Sequence, residues 1–153
     1  MSENTQLRLS VADDALFTRS DSGAIWGPIS FELGKESFFP DRGWTDLVAG
    51  FSTAWLDALT RIAVGKASEE RVWFMDGPFA IDISVRDQGL LRLALFHKDI
   101  QKHQLEGDVR GLLANAIEAG RQVIVACKNR AWTNKDVSDL AEAIERGVAA
   151  LQS

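Results

Sequence analysis

Tyrosine is absent from the 153 residues, cysteine occurs once, histidine twice and proline three times. A lone Cys127 excludes an internal disulfide and suits a reducing compartment. No apolar run approaches the roughly 18 residues needed to cross a bilayer. Met1–Asn4 carries no basic run followed by an apolar stretch, so no secretory signal is visible, and the expected location is the cytoplasm. A formal charge of -5 argues against nucleic acid or an anionic membrane as partner, because both repel an acidic surface. It suits a basic protein partner.

Chemistry-bearing patterns are equally sparse. His97 and His103 fall in what reads as a polar connection, Lys98–Glu106, and their spacing matches no common zinc or iron pattern. No Gly-x-Ser-x-Gly elbow occurs, and Cys127 falls on the apolar stripe of a helix, where a thiol behaves as a small hydrophobe. No glycine-rich loop joins a strand to a helix at phosphate-binding spacing. Asp76 reads as a turn former and Asp82 as a residue on the polar face of a strand. No catalytic residue, cofactor or metal ligand is assigned from these patterns.

What is present is architecture. Apolar residues make up 46% and charged residues 25% of the chain, as in a globular protein of one domain, here 1–153. Leu7, Leu9 and Val11 alternate with polar residues, which predicts a strand. A short strand at 15–19 and a third at 24–33 follow, separated by the Asp21-Ser22-Gly23 turn. Pro28 has no N–H to give a ladder, so the third strand is expected at a sheet edge or bulged there. Gly34 to Gly43 reads as a loop. Val48, Phe51, Trp55, Leu59 and Ile62 then recur at helical spacing over 45–64, with Thr45 or Asp41 as cap and Gly65 as stop. Strands at 71–75, 79–86 and 90–96 come next, with the Asp76-Gly77 hairpin signal between the first two. Two helices close the chain at 109–127 and 134–151, the second capped by Thr133 with Asp136 reaching back. The order β-β-β-α-β-β-β-α-α predicts an α+β fold: an antiparallel sheet of about six strands with helices packed on one face.

Five tryptophans and eight phenylalanines supply the aromatics. Trp55 lies on the helix stripe and reads as core. Trp26 and Trp73 lie on the strand faces opposite their apolar neighbours, so either both sheet faces are covered or these two rings are partly exposed. Phe38, Phe39, Asp41 and Trp44 stand within a few residues of one another in the 35–44 loop. Either they tuck into the core or they serve a partner, since exposed aromatics anchor interfaces; on the second reading these four are the candidate partner-binding residues.

Phe39-Pro40, Gly43-Trp44-Thr45-Asp46, Trp55 and Phe74-Met75-Asp76-Gly77-Pro78-Phe79 together resemble a pattern in small uncharacterised bacterial proteins, some of them similar to immunity proteins of toxin–immunity systems. The resemblance covers about residues 39–79 and the remainder only by order of elements. It implies a non-enzymatic cytoplasmic binding protein that occludes a toxin, a basic one by charge. Two other readings stand beside it: a small-molecule or enzymatic domain with a pocket between helix and sheet, and a homodimer paired through the face of Trp26 and Trp73.

Overall fold

The computed structural model describes residues 6–153. The alternation at the start of the chain produces β1 (Leu7–Val11), which pairs antiparallel with β3 (Ile25–Leu33). The strand expected at 15–19 shortens. Asp14–Leu16 forms a 3-10 turn opened by Asp13, whose carboxylate accepts the Ala15 N–H, and only Thr18–Arg19 remains as β2. The expected loop at 34–43 holds β4 (Phe38–Phe39), and Thr45–Leu47 forms β5. Strands β2, β4 and β5 all pair with β3, which makes β3 the centre of a five-stranded sheet.

Pro28 is therefore buried in a central strand, not at an edge. Its carbonyl accepts the Ala12 N–H at 3.3 Å. In an antiparallel strand the N–H and C=O of one residue point the same way, so the missing Pro28 N–H falls on that same side. There β1 ends opposite Ile29 and β2 begins opposite Trp26. The ladder has a gap at the position where proline has nothing to donate.

The second sheet is a meander of β6 (Glu69–Trp73), β7 (Phe79–Asp87), β8 (Leu90–His97) and β9 (Ile100–Asp108). β9 overturns the reading of Lys98–Glu106 as a connection. Only His103, Leu105 and Gly107 within it are half-buried and the other residues are exposed, so it lacks an apolar alternation. A register shift between Leu95 and Phe96 adds a bulge where it joins β8. The fold is α+β with antiparallel pairing throughout, as the hairpin signals imply. Its described residues hold nine strands in two sheets, where about six in one sheet were expected.

Helix α1 spans Val48–Ala63, three residues shorter at its start than its stripe suggests. Thr45 is drawn into β5, Asp41 is exposed upstream, and Leu47 occupies the cap position with no side-chain cap bond. Gly65 follows the helix at φ 81°, the left-handed geometry expected of a helix stop. Helix α2 (Val109–Asn129) begins at Asp108, whose carboxylate accepts the Gly111 N–H at 2.9 Å. Helix α3 (Lys135–Gln152) is capped by Asn134 rather than Thr133: Asn134 Oδ1 accepts the Val137 N–H at 2.8 Å. The same amide donates to the Gly23 carbonyl and ties α3 to the β2–β3 turn.

α1 packs against β3 and β6, α2 runs along β1 and β9, and α3 lies on α1 and α2. Gly120 on α2 and Gly147 on α3 permit this close approach. A Cβ at Gly120 would stand 3.3 Å from Ile144, and one at Gly147 would stand 3.3 Å from Ile117. Trp55, Phe51, Leu56 and Leu59 of α1 are fully buried beside Phe31, Ile81 and Leu93 from both sheets. Inward residues of the second sheet meet this core, whereas Arg71, Asp82, Ala94 and Gln104 form a row on its outer face, which borders an open groove. Trp26 on β3 and Trp73 on β6 belong to different sheets. No described helix is long and apolar enough to cross a membrane.

Candidate functional site

The segments 39–46 and 74–79 converge at one end of the molecule. Phe39 meets Phe74 and Phe79 with ring centres 6.0 and 5.7 Å apart. Trp44 meets Phe79 edge-on at 5.0 Å, and Phe74 stacks on Phe51 of α1 at 4.2 Å. At the middle sits Asp46, fully buried. Its carboxylate accepts the Trp44 indole N–H at 3.1 Å, the Asp76 backbone N–H at 3.3 Å and the Leu47 N–H at 2.7 Å. A buried carboxylate is costly unless hydrogen-bonded, and these donors come from both sheets' connections. The motif residues thus form a joint between the sheets.

The four candidate binding residues divide accordingly. Phe39 is buried and Trp44 half-buried, both turned into the joint. Phe38 is half-buried with the Arg42 guanidinium 4.5 Å above its ring. Asp41 is exposed and accepts the Arg42 N–H. Phe38 and Asp41 are the two within reach of a partner.

Beyond the joint, the mouth between the sheets opens as a hollow of ≈ 460 Å³, bordered by Phe38, Phe39, Phe79, His97, Lys102 and His103. The two histidines are not loop residues: His97 ends β8, and His103 lies on β9 opposite Leu95. His97 stacks on Phe79 at 4.6 Å, and His103 meets Phe39 edge-on at 6.3 Å.

The outer face of β6–β9 carries a second set of features. Across the strands run the rows Arg71–Asp82–Ala94–Gln104 and Trp73–Ala80–Phe96–Gln101. Arg71 grips Asp82 through both nitrogens, Nε to Oδ1 at 2.5 Å and Nη2 to Oδ2 at 2.8 Å. That bond raises the Arg71 pKa above its ordinary value, chiefly by stabilising the charged guanidinium. The same guanidinium lies 5.4 Å from the ring centres of both Trp73 and Phe96. Of seven large apolar side chains left exposed, four belong to this sheet and its turns: Trp73 at 49%, Met75 at 46%, Val85 at 44% and Ile100 at 60%. Trp73, Met75 and Ile100 share the end where the Lys98 N–H bonds the Pro78 carbonyl at 2.7 Å.

No group of three or more His, Cys, Asp or Glu among the described residues could hold a metal ion. Cys127 is buried, and burial pushes its thiol pKa up, which disfavours the nucleophilic thiolate. The arrangement offers surfaces for binding. Sequence reasoning placed Phe38 at this end but missed Lys102 and His103, because β9 gave no strand signal. Its parity left Trp73 either covered or partly exposed, and the ring is 49% exposed; Ile100 was missed for the same reason as β9. This chain matches no protein-family model, no curated protein and no solved structure.

Proposed function

We propose that this is a non-enzymatic binding protein that docks a folded, basic protein partner on the Trp73–Ile100 end of the β6–β9 sheet. The observation that carries the reading is Trp73, half exposed beside Arg71 on the outer face of β6, with Met75 exposed in the adjoining turn and Ile100 exposed at the same end of the sheet on β9. Tryptophan and arginine dominate the energetics of interfaces, and Phe38 and Asp41 extend the surface from the neighbouring loop. The formal charge of -5 supports a basic partner, since charge complementarity speeds encounter while buried anchors hold the complex. In its narrowest form the reading is an immunity protein covering a toxin's working surface, located in the cytoplasm.

The double variant Trp73→Ser, Ile100→Ser tests it, because both side chains are exposed and their loss leaves the core intact. The wild type is expected to retain a basic protein from cells of its source, and the purified pair to associate faster at low salt. The variant should keep its melting temperature and lose the purified partner. Equal binding of that partner by both proteins would overturn the proposed surface. A concentration-dependent dimer that the variant abolishes would replace partner docking by self-association.

A further inference from the structure

The hollow at the mouth between the sheets differs in charge from the rest of this acidic molecule. Among the described residues no carboxylate lines it, yet Lys102 and two imidazoles do. Other hollows mix signs: Asp13, Asp14 and Glu118 face Arg121 in one between β1 and α2, and Glu69, Glu70 and Asp82 face Arg71 and Arg92 on the outer sheet face. Its volume of ≈ 460 Å³ lies within the roughly 300–1,000 Å³ of small-molecule sites. Its remaining walls are aromatic, from Phe38, Phe39 and Phe79.

Lys102 and the two imidazoles are not committed elsewhere in ways that would block a ligand. Both imidazoles make their contacts with phenyl rings, Phe79 for His97 and Phe39 for His103. Ring stacking leaves imidazole N–H groups available as donors in the ring plane. Lys102 is exposed and stands where the β8–β9 register shifts, so its ammonium is free to swing toward the opening. An ammonium and imidazole donors beside aromatic walls fit one chemistry: a carboxylate joined to a flat aromatic ring by a short alkyl chain, with the ring against the phenyl walls and the carboxylate held by charge-assisted hydrogen bonds.

We propose that this hollow is a binding site for a phenylalkyl carboxylate, borne either by a small molecule or by a chain terminating in phenylalanine. The site differs from the protein-docking surface in using neither Trp73 nor Ile100, while Phe38 borders both.

The chain's two histidines give an assignable pair of imidazole signals in NMR. Titration with 3-phenylpropionate, its neutral amide, and an acetylated tripeptide ending in a free phenylalanine carboxylate tests the site. Saturable shifts of both imidazoles are expected with an acid, and Lys102→Ala is expected to weaken the bound acid about tenfold, as for loss of one charge-assisted contact. Saturation by 3-phenylpropionate assigns a free small acid; saturation by the peptide alone assigns a chain terminus. Equal binding of the amide, an unchanged affinity in Lys102→Ala, or no saturable shift with either acid at millimolar concentration would overturn the proposal.

Discussion

Asp46 gives up all contact with water and is held by the Trp44 indole and two backbone N–H groups. Hydrogen bonds to a charged group contribute about 1.5–3 kcal/mol each to stability, and orphaned buried donors add a penalty. Asp46→Ala is therefore expected to cost about 2–4 kcal/mol in a urea melt; a loss below about 1 kcal/mol would show that the indole and the Asp76 N–H find other partners. Cys127 makes a different kind of prediction. Its thiol pKa is raised by burial above the ordinary 9.0, so between that value and the raised one the folded state keeps a proton the unfolded chain has lost. Stability linked to this thiol is full below about pH 9 and falls as pH rises through the raised pKa. Cys127→Ala should then lose less melting temperature than the wild type on moving above about pH 9, and native Cys127 should resist iodoacetamide until the protein is unfolded.

β1 shows how a strand edge is closed without another strand. Asn115 of α2 accepts the Leu9 N–H at 2.7 Å and donates to the Leu9 carbonyl at 3.1 Å, so one side-chain amide stands in for a neighbouring peptide. Asn115→Leu leaves both Leu9 groups unpaired at a part-buried site and is expected to cost about 1–3 kcal/mol. Amide exchange at Leu9 should accelerate with it; unchanged protection there would mean water replaces the amide without loss. Elements of this kind were legible to very different degrees. The stripe of Val48, Phe51, Trp55 and Leu59, and the alternation of Phe79, Ile81 and Ile83, announce α1 and β7 because burial on one side imposes their periods. β9 escapes notice because Gln101, Lys102 and Gln104 are exposed and only His103, Leu105 and Gly107 are half-buried. β4 and β5, at two and three residues, are too short for any period. Asn134 takes the cap from Thr133 because its amide also reaches Gly23 across the fold, a contact that local sequence does not contain.

At the scale of the molecule, one aromatic joint and one core couple both sheets to α1. Phe31 of β3 meets Trp55 at 4.9 Å and Phe74 at 5.9 Å, so the sheets cannot separate without exposing the same rings. Trp55→Ala is expected to cost about 3–5 kcal/mol. Far- and near-ultraviolet circular dichroism should still report one coincident transition; a variant that melts one sheet before the other would contradict the joint. Phe39 and Trp44 could be placed in a crowded loop from sequence alone, but not on its inner side, which depends on Phe74 and Phe79 arriving from some 35 residues further along. The hollow was illegible for the same reason, since its walls come from β4, β7, β8 and β9.

The half-exposed Trp73 has an optical consequence. With no tyrosine and five tryptophans in the chain, ultraviolet emission comes from indoles alone, and Trp55 is sealed while Trp73 is 49% exposed beside a guanidinium. Acrylamide should quench a red-shifted component that Trp73→Phe diminishes, leaving the emission of the half-buried Trp26, Trp44 and Trp132 and the blue-shifted emission of Trp55. Any partner that covers this end of the sheet would shield that component, so the unlabelled protein carries its own reporter of occupancy.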